Sequence, residues 1–154
     1  MHIDIKEFFR TGQFGPINAP LNKTEVTKLL NSPDEEWDND YGGSIWTYGN
    51  IELHFFDNTL TCVFTDHFTF APLSAGDHIS LEPWLFTDTT ALSLAEVSEH
   101  LDRATIGYEI QHTSLNITMT LESGVSLIFE NPDDLPNLPD SLHTCSAFSK
   151  DYRP

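Results

Sequence analysis

Positive charge is scarce in this chain of 154 residues, in which seven Lys and Arg stand against 24 Asp and Glu and give a formal net charge of −17. A protein that binds nucleic acid or an anionic membrane needs a basic surface to neutralise phosphate groups. The composition therefore argues against both of these partners. A basic protein is the natural complement of such a charge.

Cysteine and long apolar runs are also scarce. The chain contains only Cys62 and Cys145, and no apolar run approaches the roughly 18 residues of a membrane span. The first residues lack the basic start and apolar core of a secretory signal. Two thiols without an export signal are expected to be reduced. The sequence therefore predicts a cytoplasmic protein.

Catalytic motifs are missing as well. There is no GxSxG, no phosphate-binding glycine loop, no nucleotide fingerprint and no HExxH or CxxC spacing. The sequence therefore predicts a protein that is not an enzyme and that holds no cofactor and no metal. Two minority alternatives remain open: a metal site built on Asp66-His67 and Asp77-His78, and an acid-base pair of His54 with Glu52 on one strand face.

An apolar fraction of 39% with eleven Phe is ample for a packed core, so the sequence predicts one domain covering residues 1–154. Within it a pattern occurs twice. Residues 24–30 and 95–101 match in character, and each follows a helix-capping residue, Asn22 or Ser93, whose capping box is completed by Glu25 or Glu96. Three strand-like runs follow each predicted helix.

These patterns predict an α+β fold of two tandem α-βββ repeats, at residues 20–66 and 93–130, that form antiparallel sheet with the helices on one face. Residues 67–92 join the repeats. Residues 131–154 are predicted to be a Pro-rich tail on the surface.

In the second repeat, sharp alternation separates an apolar sheet face from a polar one. The predicted apolar positions, expected to pack on the helix stripe that contains Val97 and Leu101, are Ile106, Tyr108, Ile110, Leu115, Ile117, Met119, Leu121, Val125, Leu127 and Phe129. The polar face provides a secondary candidate binding site, formed by Glu109, Gln111, Thr118 and Thr120.

The strongest local signal is an acidic loop predicted from Asp34 to Gly43. Its candidate partner-binding residues are Asp34, Glu35, Glu36, Trp37, Asp38, Asp40 and Tyr41. Charge runs usually form solvated connections. Trp and Tyr, however, are common interface anchors, and carboxylates around them steer a basic partner. Both interpretations of the loop remain open, and Trp37 could also pack on its own domain.

A resemblance follows from the first half of the chain. The residues that carry the resemblance are the capping residue Asn22, Glu25-Val26, Leu29-Leu30, Pro33 and Trp46-Thr47-Tyr48-Gly49. Residues Pro20–Asp66 resemble the helix-plus-three-strand unit of BamE/SmpA lipoproteins and of tandem-repeat β-lactamase inhibitor proteins, and Ser93–Glu130 resemble it more loosely. A second similarity is carried by the motifs Gly12-x-Phe14-Gly15-Pro16, Leu30-x-x-Pro33 and Tyr48–Leu53. Through these motifs the chain is also similar to small bacterial proteins, some of which are immunity factors of toxin loci. The resemblance implies a binding module that contacts another protein.

Two functions are therefore expected to compete. The first is a cytoplasmic immunity or inhibitor protein that neutralises a basic cognate toxin, possibly a nuclease, by acidic surface complementarity. The alternative is a small-ligand or regulatory binding protein without catalysis. A flat, acidic, aromatic face would favour the first, and a deep apolar pocket the second. The sequence makes no prediction about oligomeric state.

Overall fold

Residues 1–153 are described by a computed structural model that contains three α-helices and ten strands. The helices are α1 (Ile5–Thr11), α2 (Lys23–Leu30) and α3 (Leu94–Arg103). The strands are β1 (His2–Asp4), β2 (Glu35–Asp38), β3 (Gly43–Tyr48), β4 (Ile51–Phe56), β5 (Thr59–Thr65), β6 (Ser80–Glu82), β7 (Tyr108–His112), β8 (Ile117–Leu121), β9 (Val125–Glu130) and β10 (Thr144–Asp151).

Eight strands form one antiparallel sheet in the order β2-β3-β4-β5-β10-β9-β8-β7, while β1 pairs with β6 in parallel. The predicted α+β class with antiparallel sheet is confirmed. No helix within residues 1–153 combines the length and the apolar character needed to cross a membrane.

Both predicted capping boxes are present. In α2 the Glu25 backbone N–H donates to Asn22 Oδ1 at 2.9 Å, and Asn22 N–H donates to Glu25 Oε2 at 2.8 Å. In α3 the reciprocal bonds between Ser93 and Glu96 are 3.1 and 3.0 Å. Each box satisfies backbone donors that the first helical turn leaves without partners, so these residues fix where the helices begin.

The three helices cover one face of the sheet. Phe8 and Phe9 of α1 pack against Phe148 of β10 with ring centroids 6.3 and 5.2 Å apart. At the end of α2, Tyr48 Oη donates to the backbone oxygen of Asn31 at 2.8 Å. The predicted apolar core of α3 and the second set of strands is confirmed for Val97, Leu101, Ile117, Met119, Leu127 and Phe129, which are buried in one cluster.

Two predicted core positions are wrong. Leu115 is 89% exposed and Ile110 is 43% exposed. Leu115 lies in a turn closed by Thr113, whose Oγ1 donates to Asn116 oxygens, so β8 begins only at Ile117. Ile110 lies on β7, at the edge of the sheet, where no further strand covers it.

The predicted surface tail is corrected by β10. Residues 132–142 contain two short 3₁₀ turns, but Thr144–Asp151 then forms the strand that joins β5 to β9 in the middle of the sheet. Its pairing shifts by one residue between Cys145 and Ala147. Because such a bulge breaks the alternation of apolar residues, the period of two that marks a strand is absent from this sequence.

The two helix-plus-meander segments are not superposable repeats. β5 and β9 both run antiparallel to β10, so the strands of the two meanders point in matching directions. Their order across the sheet is nevertheless reversed, as β3-β4-β5 and β9-β8-β7, with the helices on one face. If one meander were a rotated copy of the other with its helix on the same face of the sheet, the rotation would reverse both the strand order and the strand direction, or would reverse neither. Here only the strand order is reversed. Both segments contain the predicted helix followed by three antiparallel strands, and they share one continuous sheet, but two tandem repeats are not confirmed.

Candidate functional site: the open face of the sheet

Within residues 1–153, no helix packs on the second face of the sheet, which we call the open face. One row of cross-strand neighbours spans all eight strands on it, in the order Glu35, Thr47, Glu52, Phe64, Ser149, Ser126, Thr120 and Glu109. A parallel row contains Trp37, Ile45, His54, Cys62 and Asp151. With strands about 4.8 Å apart, seven intervals make the open face roughly 34 Å wide.

Positive side chains are unevenly distributed between the two faces. Five of the seven Lys and Arg are on helices, at Lys6, Arg10, Lys23, Lys28 and Arg103. Lys150 points to the helix side, since it pairs with Val63 and Val125, and Arg153 follows β10 and binds Asp151 through Nε at 3.0 Å and Nη2 at 2.6 Å. In the described residues, no strand position on the open face carries Lys or Arg.

The predicted acidic loop contains an edge strand. Glu35–Asp38 pairs with Ser44–Thr47, so β2 alternates between the two faces. Glu35 and Trp37 lie on the open face, and Trp37 is 54% exposed. Glu36 and Asp38 lie on the helix side, where Asp38 approaches Lys23 Nζ at 3.6 Å. The structure thus divides the predicted partner-binding segment into two differently placed halves.

Three further residues of this segment have different surroundings. Asp34 Oδ2 accepts a hydrogen bond from the Gly49 backbone N–H at 2.6 Å, so Asp34 stabilises the β3–β4 turn. Burial, together with the nearby Asp34 charge, raises the pKa of Tyr48. Tyr41 is 85% exposed at the β2–β3 turn, beside the exposed Asp40. The acidic segment is therefore partly structural and partly free for a partner.

The secondary candidate residues lie on the same open face. Glu109 pairs with Thr120, and Gln111 pairs with Thr118, at the far edge of the sheet from Trp37. No pattern in the sequence indicates that the two predicted sites share one surface. The sequence does not predict β10, and this central strand is what joins β2–β5 and β7–β9 into one sheet.

Three side chains that could bind a metal ion cluster in the half of the sheet formed by β2 to β5. One donor atom each from Glu52, Asp66 and His67 lies within 4.8 Å of the other two. His54 Nε2 is 2.9 Å from Glu52 Oε2, as expected for neighbours on one strand face. Asp77 and His78 do not join this group among residues 1–153. Glu52 and Asp66 form no motif in the sequence, and their proximity follows from the pairing of Glu52 with Phe64.

The two thiols lie on opposite faces and are free. Cys62 pairs with His54 on the open face, whereas Cys145 is buried beside Phe129 on the helix side. Burial raises the pKa of Cys62 to about 11 and that of Cys145 to about 12. A raised pKa disfavours the reactive thiolate, so neither residue is an activated nucleophile.

The open face has only shallow depressions. Depressions of about 300 and 290 Å³ flank Trp37, the first lined by Ile45 and His54 and the second by Thr47 and Glu52. Phe70, which is 82% exposed, stands at the rim of a third depression beside Phe64. The arrangement is a broad acidic surface with aromatic side chains.

No family model matches this chain, and no curated protein matches it. Among solved structures, it is similar to an extracellular protein containing an SCP domain from Bacillus anthracis str. Ames, with a TM-score of 0.37 and 7% identity over 85% of this chain and 43% of that chain. The chain thus spans less than half the length of that protein. A likeness at this level carries no conclusion about fold or function.

Proposed function

We propose that this protein is a binding module for a basic protein, and that it acts as a cytoplasmic immunity or inhibitor protein against a cognate toxin. The observation that carries the proposal is the distribution of charge on the open face: Glu35, Glu52 and Glu109 lie there, no strand position of this face within residues 1–153 carries Lys or Arg, and only Asp151 is paired with an arginine, Arg153. Such a face attracts a basic surface and repels an acidic one.

The dimensions of the open face suit one partner. A width of roughly 34 Å and a strand length of about five or six residues give about 600 Å² in projection. A standard protein interface covers about 800 Å² on each partner. A single partner that covers the open face and the β2 edge therefore contacts both Trp37 and Glu109, which explains why acidic groups occur at both ends.

Trp37 suits the role of an anchor. Its half-exposed ring stands between two depressions, where a partner can bury the remaining surface at small entropic cost. From the resemblance to BamE/SmpA lipoproteins and β-lactamase inhibitors we retain only the proposed binding role. The order of the strands does not support the superposable tandem scaffold that this resemblance implied.

The test compares neighbouring carboxylates on opposite faces. We would measure binding kinetics to the products of the genes beside this one, and test whether co-expression relieves their toxicity. Glu35→Gln combined with Glu109→Gln should slow association several-fold at low salt, and the effect should vanish near 1 M salt, where the Debye length is about 3 Å. Trp37→Ala should speed dissociation by about 30-fold, as for an interface residue worth about 2 kcal/mol.

Glu36→Gln is the matched control, since Glu36 is adjacent to Glu35 and equally charged but lies on the helix side. The variant to compare with it is Glu35→Gln alone. Near physiological salt, where the Debye length is about 8 Å, Glu36→Gln should slow association less than Glu35→Gln does. An equal or larger effect of Glu36→Gln would move the interface away from the open face. Failure of every basic neighbouring product to bind would contradict the proposed function, and saturable binding of a small metabolite would favour the ligand-binding alternative.

A further inference from the structure

The open face also holds a cluster of donor atoms in which Glu52, one of the carboxylates described above, meets Asp66 and His67. We propose that Glu52, Asp66 and His67 form a site for a divalent transition-metal cation of the zinc class, and that His54 positions Glu52 within it. This inference stands independently of any basic partner.

The spacing of the three groups suits one ion. Bonds from zinc to oxygen and nitrogen ligands are about 2.0–2.2 Å, so the ligands of one tetrahedral ion lie roughly 3.4 Å apart. One donor atom each from Glu52, Asp66 and His67 lies within 4.8 Å of the others, and His67 Nδ1 is 3.1 Å from Asp66 Oδ1. The Asp66 and His67 side chains are both exposed, so they are free to rotate toward Glu52 when an ion binds.

The backbone holds the donors in place. Glu52 lies on β4, an inner strand paired on both sides by β3 and β5, and only 16% of its side chain is exposed. Asp66 and His67 directly follow β5, which pairs with β4 next to Glu52. The proposed ligands are therefore the Glu52 carboxylate, which β4 holds in place, and Asp66 and His67, which approach it from the end of β5.

A second layer of contacts supports the set. His54 Nε2 lies 2.9 Å from Glu52 Oε2 and is able to orient this carboxylate. Hydrogen-bond partners of this kind usually hold metal ligands, and their loss typically weakens binding about 10–100-fold. One imidazole nitrogen with two carboxylate oxygens favours zinc-class ions over Mg²⁺ or Ca²⁺, which prefer all-oxygen ligands.

The experiment titrates the full-length chain with Zn²⁺ alone by isothermal calorimetry and records imidazole resonances by NMR. We expect one saturable equivalent, with the His67 resonances shifting on addition. Glu52→Gln and His67→Ala should each weaken binding at least 10-fold. His54→Phe should weaken it about 10–100-fold while the stoichiometry stays at one. Thermal melting of each variant confirms that it is folded.

His112→Ala is the matched control. His112 Nε2 and Asp140 Oδ2 form another exposed His–Asp pair, 2.5 Å apart, which belongs to no three-donor group within residues 1–153. Its loss should leave Zn²⁺ affinity unchanged. The proposal is overturned if wild type shows no saturable binding, if Glu52→Gln binds like wild type, or if His112→Ala weakens binding as much as His67→Ala.

Discussion

Replacing Phe148 with Ala tests whether β10 is the central strand. The Phe148 ring is buried among four others, with centroid separations of 6.3 Å to Phe8, 5.2 Å to Phe9, 5.7 Å to Phe68 and 5.0 Å to Phe86. These rings come from α1 and from the segment before α3, so Phe148 links parts of the chain that are far apart in sequence.

Phe148→Ala should lower the free energy of unfolding for two reasons. A buried Phe→Ala change typically lowers the free energy of unfolding by about 3–5 kcal/mol through lost transfer and a cavity. Phe148 should lie at the upper end, because each aromatic pair adds about 0.5–1.5 kcal/mol. Since domains of this kind are stable by about 5–15 kcal/mol, the loss is a large part of the total. A melting temperature lower by about 6–20 °C should follow.

Urea unfolding followed by tryptophan fluorescence measures this difference. Phe70→Ala is the control, because it removes the same side chain from a position that is 82% exposed and should change stability by less than about 0.5 kcal/mol. If Phe148→Ala has a midpoint close to that of wild type while Phe70→Ala does not, the segment 144–151 is not in the core and the sheet order is wrong.

Three more predictions concern single groups. Ser93→Ala should lower the free energy of unfolding by about 1 kcal/mol, because α3 loses its cap. Asp34→Ala should cost about 1–2 kcal/mol in urea unfolding, since the Gly49 N–H loses its carboxylate acceptor. Because burial raises the pKa of Cys145 to about 12 and that of Cys62 to about 11, the unfolded chain ionises these thiols first. Stability should thus be unaffected by these thiols below about pH 8.5 and fall progressively above it.

Matched variants check these predictions. Ser114→Ala and Asp40→Ala change exposed turn residues and should leave stability nearly unchanged. A loss at Asp40 equal to that at Asp34 would show that general charge, not the hydrogen bond to Gly49, explains the effect. For the thiols, a Cys145→Ala variant that loses as much stability as wild type between pH 9 and 10.5 would contradict the proposed cause.

Local signals explain what the sequence predicted well. The capping boxes at Asn22 and Ser93 and the alternation of β8 and β9 depend on residues within a few positions of each other. β10 could not be predicted in this way, because its place is set by pairing with β5, about 85 residues earlier, and its bulge hides the period. The edge strand β2 was missed because Glu and Asp are poor strand formers, and only pairing with β3 orders them.

The acidic open face has a second physical consequence, for contacts between copies of this chain. Both edges of the sheet, β2 and β7, expose backbone groups that could pair with another strand. Glu35 and Glu36 at one edge and Glu109 at the other oppose such pairing, since like charges on adjacent strands repel. Protection of the edges explains carboxylates on β2 and β7, but not Glu52 and Asp151, which lie on inner strands. Asp151 is already paired with Arg153. Glu52 is therefore the carboxylate of this pattern that an approaching cation or basic partner explains.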